Sequence, residues 1–207
     1  MNVHIISHTH WDREWFLTAQ YTSEWLPPFF NSLFNMLERY PDYYFVLDGQ
    51  TIMIEDFLDQ LTPHQKEAAL KKLKKFINQK RLMVGPYYLQ SDWRLLNGES
   101  LIRNLLLGMQ IANELGSSMK VGWLLDNFGQ ISQAPQIHKG FELNGLYLWR
   151  GIDAEPEKIS TEFIWEAPDL SQIVSIYLIS SYRNAMRLAE YSDLARERVE
   201  SEIKKLQ

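Results

Sequence analysis

Five short apolar runs in this chain each lead into residues that carry chemistry, and helix-like segments separate them. Val3–Ser7 is followed by His8, His10 and Asp12, and Tyr44–Leu47 by Asp48-Gly49-Gln50. Leu82–Tyr88 leads to Gln90-Ser91-Asp92, Val121–Leu125 to Asp126-Asn127, and Leu146–Trp149 to Arg150. Strands alternating with helices predict an α/β fold with a parallel sheet. In a parallel sheet or barrel such strand ends lie on one rim, where their polar residues can converge. One Asp or Asn after a strand is an ordinary turn residue, because its side chain bonds nearby backbone. A run of five is harder to assign to turns alone.

The helices announce themselves by periodicity and caps. Trp25–Tyr40 places Leu26, Phe29, Phe30, Leu33, Phe34 and Leu37 at helical spacing and is closed by Pro41. Ile52–Gln60 reads as a short helix. Thr62-Pro63-His64-Gln65 reads as a capping box opening a helix that runs to about Asn78. Its Lys71, Lys72, Lys74 and Lys75 make a solvated face better than an anion site. Ser100–Leu115 is an apolar helix stopped by Gly116, and Pro135–Lys139 is a short one. Phe163–Trp165 and Ile173–Ile179 predict a hairpin, and Asp193–Leu206 a charged helix. No repeat, low-complexity tract or linker divides the chain, so residues 1–207 read as one domain.

Composition removes several functions. With 207 residues the chain can bury a substantial core, and a net charge of −5 gives no basic footprint for nucleic acid. It has no cysteine, so any metal must be held by His and carboxylates. No leading n-region and h-region is present and no apolar stretch spans a bilayer. The default expectation is a cytoplasmic protein with no membrane partner. A homo-oligomer stays open. Aromatics make up 13% of residues, a surplus that suits a carbohydrate cleft as well as a core.

The densest chemistry lies at residues 8 to 15, His-Thr-His-Trp-Asp-Arg-Glu-Trp. In an extended chain alternate side chains share a face, so His8, His10 and Asp12 can point together. An imidazole nitrogen and a carboxylate oxygen are donors that Zn²⁺ accepts. The flanking Trp11 and Trp15 offer flat faces for sugar rings. Asp126 is the second focus, at the end of an apolar strand and before Gly129 and Pro135. Its plain reading is a turn or helix cap. A nearby cation would instead favour its charged, nucleophilic form, and a carboxylate nucleophile points to glycosyl transfer. The second carboxyl group that this chemistry needs is left open among Asp48, Asp92 and Glu142.

His8-Thr-His-Trp-Asp-Arg-Glu-Trp15 together with Leu125-Asp-Asn-Phe-Gly-Gln130 resembles the N-terminal catalytic domain of the family 38 α-mannosidases. Phe45-Val-Leu-Asp-Gly-Gln50, Val84-Gly-Pro-Tyr-Tyr-Leu-Gln-Ser-Asp92 and Gly98-Glu-Ser100 are similar to its bacterial branch. The resemblance implies a seven-stranded (β/α) barrel, a Zn²⁺ ion and retaining hydrolysis of terminal α-mannosides. By matched motif, His10, Asp12 and Asp126 are implied zinc ligands, and Asp126 also the nucleophile. Arg150, in Leu146-Tyr-Leu-Trp-Arg-Gly151, is the implied arginine that orients it. Trp15 is implied to pack on mannose, with Asp48 and Asp92 meeting sugar hydroxyls. The family's fourth zinc ligand, a histidine, and its acid/base aspartate lie downstream of these motifs. His138, the one histidine after Asp126, does not match that ligand motif. The chain is therefore expected to be the N-terminal part of a larger enzyme, with the fourth ligand beyond Gln207 and an open, weak metal site.

Two other readings compete. A zinc-dependent carbohydrate deacetylase would use similar ligands but activate water. A sugar-binding module without catalysis would keep the aromatics and lack turnover. Given the missing acid and ligand, the 207-residue chain should show only background hydrolysis of an activated aryl α-mannoside. Robust turnover would mean that the missing groups are supplied within it.

Overall fold

A computed structural model describes residues 3–151 and 160–205. The chain forms two compact units. The first comprises Ile6–Ser91 and Leu96–Gly122; the second holds the described residues of Met1–Ile5, Asp92–Leu95 and Trp123–Gln207.

The first unit is mainly helical. It contains α1 (Ala19–Ser23), α2 (Leu26–Arg39), α3 (Ile52–Asp59), α4 (Pro63–Asn78) and α5 (Gly98–Leu115). Between them run β1 (Phe45–Val46) and β2 (Leu82–Met83), paired in parallel. The apolar stripe of α2 is buried as its spacing predicts, at Leu26, Phe30, Leu33, Phe34 and Leu37. Phe30 stacks on Phe57 of α3 at 4.1 Å. The Thr62/Gln65 capping box is formed, with donors and acceptors satisfied reciprocally. Helix α5 starts two residues before the expected Ser100, because Asn97 caps it by accepting from Ser100 N.

Two expected strands are corrected. Val3–Ser7 is not a buried strand: Val3 and Ile5 are 48% and 56% exposed, and the parallel bridge nearby is made by the next residue, His8, with Val46. Val46 N of β1 donates to Ser7 O, and Thr9 N donates to Val46 O. The two-residue β1 offers no longer ladder. Leu82–Tyr88 keeps only its first two residues as β2. Beyond Met83 its backbone bonds go elsewhere: Tyr87 N donates to Gly49 O and Tyr88 N to Asn104 O.

That departure rests on a glycine. A Cβ at Gly108 of α5 would sit 2.1 Å from Tyr87 C and 2.3 Å from Tyr88 N. Helix α5 therefore lies directly on the Pro86–Tyr88 backbone, and Asn104 fixes the join by accepting from Leu89 N and donating to Leu89 O. This packing sets the path toward Gln90.

In the second unit the strands run in the order β3-β4-β6-β5. They are β3 (Val121–Leu124, its last two residues in this unit), β4 (Gly145–Leu148), β5 (Glu162–Glu166) and β6 (Gln172–Tyr177). β4 and β6 are parallel, and β5 and β6 form the expected antiparallel hairpin. Helix α6 (Ala134–Gly140) packs on β6. Helix α7 (Ser192–Lys205) is charged as its sequence predicts; its expected end, Leu206, lies outside the described residues. The strands thus show a mixed α/β fold in two sheets, and a closed seven-stranded barrel is not seen among the described residues. No helix there is long and apolar enough to cross a membrane.

His138 is a core residue of this unit. It is fully buried, its ring stacks on Trp93 at 5.0 Å, and its Nδ1 lies 2.6 Å from Ala134 O. Burial pushes its pKa down to about 4, against the opposing bond to Ala134. The imidazole is therefore neutral when folded.

Two outcomes follow from this packing. Gly108→Ala gains helix propensity by about 1 kcal/mol, yet the clash with backbone should reverse the sign and lower stability by 2 kcal/mol or more, on the order of an overpacking penalty. A raised urea midpoint would refute the close packing. For His138 the unfolded chain takes up the proton first, so its contribution is full above pH 6.5 and is lost as pH falls toward 4. The loss reaches roughly 3 kcal/mol. Urea midpoints between pH 7 and 5 should fall more steeply for the parent than for His138→Gln; equal slopes would count against a buried neutral ring.

Candidate active site

In the first unit the octet is tied down by the turn that follows β1. Asp48 and Gly49 both have left-handed backbone, φ 44° and 66°, a conformation that Asp tolerates and Gly adopts freely. Asp48 is 1% exposed. Its Oδ2 accepts from Trp11 N at 2.7 Å and from Gln50 Nε2 at 2.7 Å. Gln50 Nε2 also donates to Trp11 O at 2.8 Å, so both polar groups of the Trp11 backbone are held. Gln90 closes the turn from the other side, donating through Nε2 to Asp48 O and through its backbone to Gln50 Oε1. Burial raises the Asp48 pKa, while His10, Trp11 and Gln50 pull it back down.

His10 is bracketed by carboxylates. Its Nδ1 lies 3.5 Å from Asp48 Oδ1, and its Nε2 lies 3.3 Å from Asp12 Oδ1. One of these acids is buried and the other faces solvent. His8 takes a different place, at the bridge to Val46. Arg13 leaves the octet in another direction and donates twice to Asp56 of α3, at 2.7 and 3.0 Å, and this pairing raises its pKa. Thr22 of α1 donates to Arg13 O. Trp15 is 70% exposed, its ring tilted against Phe16 at 4.1 Å.

In the second unit Asp126 follows β3. Arg150 Nε lies 2.7 Å from its Oδ1, and Tyr182 OH donates to its Oδ2 at 3.0 Å. The Arg150 guanidinium lies over two rings, 4.1 Å from the Trp149 centroid and 4.9 Å from that of Phe128. Arg183 donates to the Tyr182 oxygen at 2.7 Å. Burial pushes the Tyr182 pKa up to about 12; Arg183 opposes this and Asp126 adds to it. The phenol is thus a neutral donor at ordinary pH. Asp92 Oδ1 accepts from Phe128 N at 3.3 Å, and Trp93 N donates to Phe128 O. Gly129 makes this approach possible: its φ is 65°, and a Cβ there would lie 2.5 Å from Arg94 Cβ.

The expected site residues therefore sort by unit. His10, Asp12 and Asp48 are neighbours in the first, and Asp126 and Arg150 form an ion pair in the second. Asp92 supports the Phe128 loop, and Glu142 lies in the turn after α6. Sequence reasoning missed Tyr182, Gln50 as a clamp on Trp11, and the Arg13–Asp56 pair. Asp48-Gly49-Gln50 at a strand end could have flagged the second. Tyr182 is 56 residues from its partner and carries no local signal.

The family model for the N-terminal domain of glycosyl hydrolases family 38 matches residues 1–206. A putative mannosylglycerate hydrolase of Halalkalibacterium halodurans is 34% identical over 93% of this chain, which spans 22% of that protein. An α-mannosidase of Saccharomyces cerevisiae is 26% identical over 84% of the chain and 16% of its own length. The crystal structure of an α-mannosidase from Enterococcus faecalis V583 superposes with a TM-score of 0.86 at 28% identity, covering 96% of this chain and 22% of that one. The chain spans about a fifth of the length of these relatives. With its octet, its Asp-Asn-Phe-Gly loop and this match over almost its full length, the chain belongs to glycosyl hydrolase family 38, within the N-terminal domain.

Proposed function

We propose that the chain carries the nucleophile and most of the metal ligands of a retaining, zinc-dependent α-mannosidase. On this reading residues 1–207 contribute to one catalytic (β/α) barrel domain. The observation that carries it is the setting of Asp126, whose two oxygens engage Arg150 at 2.7 Å and the Tyr182 hydroxyl at 3.0 Å. Those contacts fix the orientation of a carboxylate that must attack along one line.

The donor set suits zinc. His10 Nε2 and Asp12 Oδ1 face one another, and with no cysteine in the chain the ligands are nitrogen and oxygen only. His10, Asp12 and Asp126 each offer one ligand atom. When bound, the cation would supply electrophilic contacts to mannose hydroxyls. Trp15 supplies an exposed face for the sugar. Asp92 accepts from Phe128 N, two residues past Asp126, and on this reading it meets sugar hydroxyls. Asp126 then attacks the anomeric carbon, the leaving oxygen takes a proton from an acid outside the matched motifs, and water hydrolyses the mannosyl–Asp126 ester. The substrate class is a terminal α-mannoside, in an oligosaccharide or a mannosyl conjugate.

A fluorinated mannosyl donor that leaves a slowly hydrolysed ester tests the reading. In the enzyme that carries this chain, peptide mass mapping should find the label on Asp126, and Asp126→Asn should lower turnover by about 10³-fold or more. Turnover without label on Asp126 would favour the deacetylase or another water-activating chemistry.

A further inference from the structure

His10 has two ring nitrogens and can use only one as a ligand. The other must carry the proton, and what that proton meets decides the tautomer and the ring orientation. Asp48 sits on the Nδ1 side with Oδ1 3.5 Å away, while Nε2 faces Asp12. We propose that Asp48 is a positioning residue for the metal site: it accepts the Nδ1 proton of His10 and so presents Nε2 as the ligand. This deepens the zinc reading above and rests on it. It also gives Asp48 a place behind the ligand, where it is 1% exposed, in place of a rim contact to sugar.

The geometry makes the assignment specific. Asp48 Oδ2 is already committed to two donors, Trp11 N and Gln50 Nε2. Only Oδ1 is turned to the imidazole. The same two donors tie Asp48 to the peptide next to His10, so the distance from carboxylate to ring is set by backbone. The left-handed φ of 44° at Asp48 is a local cost that this arrangement holds in place. Gln50 bonds the carboxylate and Gln90 the backbone carbonyl of Asp48, so the turn is held from both sides.

Asp48→Asn is a discriminating substitution because its shape is unchanged. Two N–H donors at the Oδ2 position will hold the amide carbonyl there. The amide NH₂ then faces His10 Nδ1, which must accept, and the ring proton moves to Nε2, where it blocks metal binding. Two readouts follow, on the full 207-residue chain. Long-range ¹H–¹⁵N spectra at neutral pH should show His10 as the Nδ1–H tautomer in the parent, without metal, and as Nε2–H in Asp48→Asn. Zinc affinity, measured by competition with a chromophoric chelator, should fall roughly 10- to 100-fold in the variant. An Nε2–H ring in the parent overturns the proposal even if the variant fails to fold. His10→Ala separates the two layers. If it leaves zinc binding intact, the metal reading fails and the positioning role with it. If it abolishes binding while Asp48→Asn binds as tightly as the parent, only the positioning role fails.

Discussion

A carboxylate with 1% exposure needs partners for its lone pairs, and at Asp48 one comes from Trp11, far back in the chain, and the other from the nearby Gln50. Trp11 N and Gln50 Nε2 satisfy Oδ2. Gln50 in turn satisfies Trp11 O, and Gln90 satisfies Asp48 O. The octet has little secondary structure of its own, so this buried polar knot does for it what a ladder does for a strand. Such networks are all-or-none: satisfied, they hold one arrangement, and with a member removed they leave a buried group without its bond at a cost of about 1–3 kcal/mol. The helical core around α2, α3 and α4 provides the dry setting, and Gly108 lets α5 press on the Pro86–Tyr88 backbone that leads to Gln90.

What was legible in the sequence was what local rules determine. Helices α2 and α4 were readable from the Leu26–Leu37 stripe and the Thr62/Gln65 box, since periodicity and capping act within a turn or two. The hairpin of β5 and β6 was readable for the same reason. The strands were over-read. An apolar run such as Val3–Ser7 or Leu82–Tyr88 says that burial or pairing is favourable, but its length of pairing is set by the partner. β1 offers two residues, and the chain past Met83 finds its acceptors in Gly49 and Asn104.

The candidate donors stand out in the sequence, and the partners that hold them do not. His10, Asp12 and Asp126 stand in motifs whose spacing is local. The groups that orient them come from elsewhere: Asp48 is 38 positions past His10, and Tyr182 meets Asp126 across 56. Such pairs carry no periodic signature in a single sequence. Arg13 shows the same limit, because nothing local pairs it with Asp56, to which its guanidinium donates twice. A bidentate Arg–carboxylate pair has directional geometry, so Arg13 anchors the octet to α3 and leaves its function to its neighbours.

On the proposed reading Asp126 reacts and Asp48 orients, and the surroundings of the two acids differ in keeping with that. Asp48 is enclosed and meets a peptide N–H, an amide and an imidazole. Asp126 is part-exposed, with a guanidinium on one oxygen and a neutral phenol on the other. A nucleophile must keep one lone pair free to travel toward carbon while its charge is balanced from the side. Arg150 meets that need from a place over the Trp149 and Phe128 rings, whose faces hold its guanidinium beside the carboxylate. The phenol adds a donor without adding charge, and its raised pKa keeps it so. Enclosure suits a residue that orients and partial exposure suits one that reacts, so the difference in burial supports the two proposed roles.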